Sequence, residues 1–414
     1  MRSVQSGMCL ALILLSGCGW RTHERAHERT LVSFEAPGVF TRVSPAGIVD
    51  RGSGEPPHLS CKTPGDGSAV VVVNSRPYDP PLDFTNRFLR VRIRVDRVMG
   101  LTDMEFHLFS DAQRTQALVL RIPLFADERA NLLQDGEWIT VTLSPGAARR
   151  AGNPDRSAIR EIVWLVADNG SPDSLMPVRA DLSELAAVDA TRGIVTLTFD
   201  DGYEEHYSAA APLMAEHGLR GTAYVMPDQV GEPGYMTLEQ LHELQHRYGW
   251  DVAAHHMDPF TDLGSEVLEA VIIEMRGFLE REGFEGAEHL AYPLGKYDAR
   301  TVLPLVQRYF TTARLASGGP ETLPPADPYR LRAVNILPTT EPEEIAAAAL
   351  RADQNGEWLI LMFHSLVESP ERDTDYGLAE FARTIELLAD GRIDVRPFSE
   401  VWKDYGRNPP APDH

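Results

Sequence analysis

From about Leu31 to Ala187 the apolar positions fall at every second residue, in short runs. In "FLRVRIRV", Leu89, Val91, Ile93 and Val95 share one face while Arg90, Arg92 and Arg94 take the other, because side chains alternate across a strand. "AVVVV", "MEFHLF", "ALVLRI", "EWITVTL" and "EIVWLVA" repeat the theme, bounded by clusters of Gly, Pro, Asp and Asn that break strands. A series of strands with one buried face each predicts an all-β sandwich, jelly-roll-like in its strand order, over residues 31–187. Trp138 and Trp164 are candidates for sugar-stacking platforms, although aromatics inside strands ordinarily pack into a core.

After "AAVDATRG" the period changes, and strands alternate with helices over residues 190–405. "GIVTLTF" reads as a strand, "EEHYSAAAPLMAEHG" as a helix ended by Gly218, and "RGTAYVM" as the next strand. "TLEQLHELQHRYG" is a helix capped by Thr237 and stopped by Gly249. "WDVAAH", "EHLAYP", "YFTTAR", "RLRAVNI", "WLILMFH" and "IDVRPF" follow as strands, with the long helix "GSEVLEAVIIEMRGFLEREG" among them. Such alternation predicts parallel strands with helical crossovers, in a barrel or an open sheet. Either way, sites form at the carboxyl ends of the strands. The tail 406–414, "GRNPPAPDH", is Pro-rich and reads as disordered.

Three strand ends carry chemistry. Asp200 and Asp201 follow "GIVTLTF", with Gly202 allowing a sharp turn. Two adjacent carboxylates repel, which is relieved if one binds a cation while the other moves protons. A solvated Asp-Gly turn explains the same residues. His255 and His256 end "WDVAAH" and leave the strand in opposite directions, so one of them faces any shared site; a satisfied core histidine is the ordinary alternative. His364 closes the apolar run "WLILMFH" as a general-acid candidate. "HELQH", His242-Glu243-His246, matches the helical zinc-protease motif, but the third histidine of the extended pattern would fall at Val252.

The ordered set "TLTFDDG", "DVAAH", "AYPLGKYD", "DPYRLRAVNI" and "LILMFHS" resembles the polysaccharide deacetylases of the NodB-homology type, carbohydrate esterase family 4, over about Arg192 to Trp402. The resemblance implies a distorted (β/α) barrel and a divalent metal, usually Zn²⁺, used to remove acetyl from an N-acetylated sugar. Carried over by position, Asp200 is the general base, Asp201 and His255 are metal ligands, and His364 is the acid that protonates the departing amine. "YPLG", Tyr292, Pro293, Leu294 and Gly295, would line the groove, with a backbone N–H as oxyanion donor. Two positions depart from the family pattern. The expected second histidine ligand would fall at Pro259, so Asp258 is the nearest oxygen donor for the metal. The arginine that orients the base would stand at Ala291, and Arg332 is the substitute expected to supply its charge.

Composition narrows the partners. A formal charge of −22 argues against nucleic acid or an anionic bilayer surface as the main partner. The N-terminus pairs Arg2 with a short apolar run and ends in Leu15-Ser16-Gly17-Cys18, which resembles a lipoprotein box. The expectation is a signal peptide over 1–17, a lipid on Cys18, a polar tether over 18–30, and an exported chain. Gly19 after the lipid cysteine resembles outer-membrane sorting. Cys61 then has no partner for an internal disulfide, so the fold stands on its cores. These readings converge on a metal-dependent deacetylase of an N-acetylhexosamine-containing exopolysaccharide or peptidoglycan. Alternatives are O-deacetylation of xylan, a polysaccharide-binding protein that has lost turnover, and the zinc protease.

Overall fold

The alternation in Arg87–Val95 persists in the folded chain: Leu89, Val91, Ile93 and Val95 are buried, and the intervening arginines lie on the outer face. The structure is a computed structural model that describes residues 28–406 apart from 33, 35–39, 44–46, 53, 123–131 and 392. The expected signal peptide, Cys18 and residues 407–414 lie outside the described residues. Among the described residues, no helix is long and apolar enough to cross a membrane.

The N-terminal half is a sandwich of two six-stranded antiparallel sheets. One runs Ile48–Arg51, Leu59–Lys62, Arg179–Asp189, Arg87–Val95, Trp138–Leu143, with Glu28–Val32 also paired to Arg179–Asp189. The other runs Arg149–Ala151, Ala117–Arg121, Leu101–Phe109, Glu161–Asp168, Ala69–Asn74, Phe40–Arg42. Strand pairing begins at Glu28, so the last three residues of the expected tether belong to the sheet. Trp164 is wholly buried and stacked on Phe106, a core residue rather than a platform. Trp138 stands outside the core, with the Arg94 guanidinium 4.7 Å from its ring centroid.

The C-terminal half is a closed barrel of seven parallel strands, Ile194–Phe199, Thr222–Val225, Asp251–Ala254, Gly286–Ala291, Thr312–Gly318, Leu331–Asn335 and Trp358–Phe363. Two of its helices carry well-formed caps. Thr237 and Gln240 form a reciprocal capping box on Leu238–His246, worth about 1 kcal/mol. Gly283 closes Ser265–Glu282 in the left-handed conformation, φ 71°.

"IDVRPF" departs from the expectation. Only Val395 bridges to Val195, because Pro397 lacks an N–H and starts the helix Phe398–Val401. Phe398, Val401 and Trp402 pack with Trp358, Ile360, Leu331 and Ala333 as a plug in the barrel floor. Within Trp358–Phe363 the alternate residues Leu359, Leu361 and Phe363 face the helices instead.

Asp251 lies in this floor, accepting from the Ser399 N–H at 2.7 Å. Burial pushes its carboxyl up to about 6, against the pull of that hydrogen bond and those of the Ser399 and Thr222 side chains. The folded state therefore binds the proton more tightly than the unfolded chain, and stability falls as pH rises from about 4 to 6, by roughly 3 kcal/mol for a shift of this size. Asp251→Asn keeps the acceptor without the charge. Its melting temperature relative to the parent should climb across that window, and a constant difference would refute the assignment.

The halves meet along the sandwich's edge strand Trp138–Leu143, whose free backbone would otherwise template unwanted pairing. The Thr142 carbonyl accepts from Arg332 Nη2 at 2.9 Å, Arg330 pairs with Glu137, and Tyr297 Oη donates to the Leu132 carbonyl at 3.1 Å. Arg156 Nη1 donates to Asn355 Oδ1 at 2.9 Å. The barrel thus covers the edge with polar contacts.

Candidate active site

Asp200 extends the first barrel strand by one residue, its N–H donating to the Phe363 carbonyl at 2.9 Å. Since Phe199 and Phe363 are register partners, Asp200 and His364 leave adjacent strands at the same level. Asp201 then takes a left-handed φ of 74° and Gly202 one of 81°, which turns the second carboxylate away from the strand. Asp is among the few side chains that adopt this conformation readily.

Asp201 Oδ1 lies 3.4 Å from His255 Nε2. His255 Nδ1 is 2.9 Å from the Ala291 carbonyl, which only accepts, so Nδ1 carries the proton and Nε2 points at the carboxylate. Burial pulls His255 down, but the Asp201 hydrogen bond and the charges of Asp200 and Asp201 outweigh it and hold the ring above its ordinary value. Burial also works against ionised Asp201; the hydrogen bond and charge of His255 outweigh it and hold the carboxyl at about 2.

Asp200 is anchored by a residue that the sequence pattern did not single out. Arg314, wholly buried on the strand Thr312–Gly318, donates Nη2–H to Asp200 Oδ1. Its Nη1 donates to the Leu315 carbonyl at 2.9 Å and lies 2.7 Å from Met362 Sδ, and its guanidinium sits 4.8 Å from the Tyr224 ring centroid. Ala291 is the register partner of Arg314, and Ala253 packs with Ala291 and Tyr224. Two small residues on neighbouring strands leave the barrel interior open for one long side chain.

Arg332 does not serve Asp200. Leu331 and Ala333 take the interior of their strand, which turns Arg332 outward to Glu321, bound through Nε at 2.7 Å and Nη2 at 3.0 Å, and to the sandwich. The expected third metal ligand is likewise not assembled. Asp258 is exposed, its N–H donating to His256 Nδ1 at 3.1 Å in the turn before Pro259. Among the described residues no group of three or more His, Cys, Asp and Glu stands together to hold a metal. Asp201 and His255 fit a divalent cation in charge and tautomer; a third protein ligand does not.

In "YPLG", Tyr292 is buried and stacked on Tyr297, Pro293 and Gly295 are buried, and only Leu294 is exposed. The Tyr292 N–H donates to the Arg314 carbonyl and the Gly295 N–H to the Tyr292 carbonyl. Other aromatic groups flank the carboxylates: Tyr203 and Tyr235 stack at 5.4 Å, with the Arg372 guanidinium 5.5 Å from the Tyr203 ring.

These residues sit where a known family has its match. Residues 187–311 match the polysaccharide deacetylase family. The matched segment takes in Asp200, Asp201 and His255 and ends before Arg314 and His364. "Putative polysaccharide deacetylase YxkH" of Bacillus subtilis (strain 168) is 24% identical over 163 residues, 39% of this chain and 57% of that protein. The chain thus matches little more than half the length of this curated deacetylase relative.

Among solved structures, a family 4 carbohydrate esterase from Streptomyces lividans, in complex with acetate, is 19% identical with a TM-score of 0.34. The alignment covers 50% of this chain and 91% of that one. A family 11 carbohydrate-binding module from Clostridium thermocellum is 13% identical with a TM-score of 0.30, covering 40% of this chain and 96% of that one.

Apart from these residues, "HELQH" is bound up in the fold. Glu243 accepts from Tyr207 Oη at 2.6 Å, His242 Nε2 lies 3.2 Å from Glu282, and the two histidine rings stack at 5.9 Å. Its glutamate is engaged, and among the described residues no group of three or more His, Cys, Asp and Glu includes it.

Proposed function

We propose that this chain is a hydrolase that removes acetyl groups from an N-acetylhexosamine-containing polysaccharide. The observation that carries the reading is the buried Asp200–Arg314 pair set beside His364 and the Asp201–His255 pair. Asp200 accepts the proton of the attacking water, and Arg314 pairs with that carboxylate and aims it. An amine is a poor leaving group, so a separate acid must serve the nitrogen, and His364 stands on the neighbouring strand to do so. Asp201 and His255 are the residues that would hold a divalent cation such as Zn²⁺, and the chemistry it supplies when bound is polarisation of the acetyl carbonyl. With Asp258 turned to solvent, Asp258→Ala should leave Zn²⁺ affinity within about twofold, whereas His255→Ala should lower it about tenfold or more. Isothermal titration decides; a loss in Asp258→Ala would return that residue to the site.

The deciding test is acetate release by the full chain from poly-N-acetylglucosamine, peptidoglycan and acetylated xylan, with and without Zn²⁺, beside Asp200→Asn. Release from the N-acetylated polymers that Asp200→Asn abolishes supports the reading. The incomplete ligand set favours one alternative, a binding protein on the same fold. Binding of these polymers without release by the wild type would establish it. The proposed location is exported and lipid-anchored through Cys18, facing the periplasm or the cell surface from the outer membrane. Cys18→Ser should then move the chain from the detergent phase to the aqueous phase.

A further inference from the structure

The turn that carries Asp200 and Asp201 does not run directly into an α-helix. His206–Ala210 form a π-helical turn before Ala211–Glu216, an irregular geometry that recurs at functional sites. This turn presents two consecutive side chains to the segment after the last barrel strand. His206, wholly buried, lies with Nε2 2.8 Å from the His364 carbonyl, which only accepts, so Nε2 carries the proton. Glu205 Oε1 accepts from Ser365 Oγ at 2.8 Å and from the Leu366 N–H at 3.3 Å.

The rings of Phe199 and Tyr203 enclose the imidazole at 5.3 and 5.8 Å, and its Nδ1 has no partner among the described residues. Burial lowers the pKa of His206, and the carbonyl acceptor of His364 fixes a proton on Nε2. An apolar side chain would fill the same space without an orphaned nitrogen. What the histidine adds is the one hydrogen bond to His364.

We propose that Glu205 and His206 are positioning residues that lock His364 at a fixed place relative to Asp200. The inference rests on the reading of His364 as the proton donor to the leaving amine. It ties the acid to the base through the chain itself, since Asp200 and His206 lie six residues apart and His364–Leu366 is held by the end of that segment.

Leaving groups separate a positioning role from a merely structural one. An amine departs only when protonated, whereas 4-nitrophenolate departs unaided, so a misplaced acid slows amide cleavage and spares the aryl ester. In the full chain, His206→Leu should lower kcat on N-acetylglucosamine oligomers about 10- to 100-fold, with KM within about twofold. Hydrolysis of 4-nitrophenyl acetate should change by less than about twofold. His206→Gln, which retains an N–H donor, should recover most of the loss. Should His206→Leu fail to fold, Glu205→Ala should show the same selective loss.

Equal losses on both substrates, or none on either in a folded variant, would overturn the proposal. If instead the wild type releases no acetate from the oligomers, or Asp200→Asn keeps full activity on both substrates, the deacetylase reading itself fails and the proposal with it.

Discussion

Arg314→Met is expected to cost both stability and turnover. The side chains of Arg314 and Asp200 are 1% and 5% exposed, so removing the guanidinium strands a carboxylate in a closed interior. Breaking a buried pair from one side costs about 3–5 kcal/mol, because the remaining charge has neither water nor partner. Asp200 would also lose the donor that aims its carboxylate at the attacking water; the corresponding loss in kcat is about 10²- to 10⁴-fold.

Arg314→Lys should fall between, since an ammonium supplies charge without the planar fork that reaches Asp200, Leu315 and Met362 together. Urea melts and acetate release measure the two effects. Arg332→Met is the matched control: it breaks another buried pair, with Glu321, and should lower stability while leaving kcat per folded molecule unchanged. Wild-type turnover in Arg314→Met would remove Arg314 from the site, and a large kcat loss in Arg332→Met would restore the arginine that the sequence pattern suggests.

Asp200→Asn should lower kcat about 10²- to 10⁴-fold on N-acetylated oligomers and on aryl acetates alike, because both reactions need water deprotonated. The amide still accepts from Arg314, so the protein should remain folded. His364→Ala should divide the substrates, with a large loss on the amide and a small one on the ester. A full rate for Asp200→Asn on either substrate would assign the base elsewhere. A parallel loss on both substrates for His364→Ala would give His364 a role other than proton donor.

The difference between Arg314 and Arg332 shows where the sequence stops being informative. Each lies in a short strand among apolar neighbours, and nothing local says which one faces the barrel axis. That depends on how neighbouring strands are registered as the barrel closes: Arg314 falls beside Ala291, where there is room, while Leu331 and Ala333 claim the interior on either side of Arg332. Asp258 misled for a similar reason. Its spacing from His255 is close to that expected of a ligand, but the turn before Pro259 carries it to the surface. Tyr292, placed in the groove by its motif, is taken into the core by stacking on Tyr297.

By itself the sequence determined the two periodicities, and with them a β-sandwich followed by parallel strands with helical crossovers, the helix cap at Thr237, and the strand ends that carry Asp200, Asp201, His255 and His364. These are local properties, written in side-chain alternation, capping chemistry and the turn residues that follow each strand. Only the tertiary structure decided which arginine meets Asp200, that Asp258 stays apart from Asp201 and His255, and that His206 holds the backbone of His364. Those contacts join residues 114 and 158 positions apart, and they are set by strand register and by the space small side chains leave inside a closed barrel, neither of which any short stretch of sequence contains.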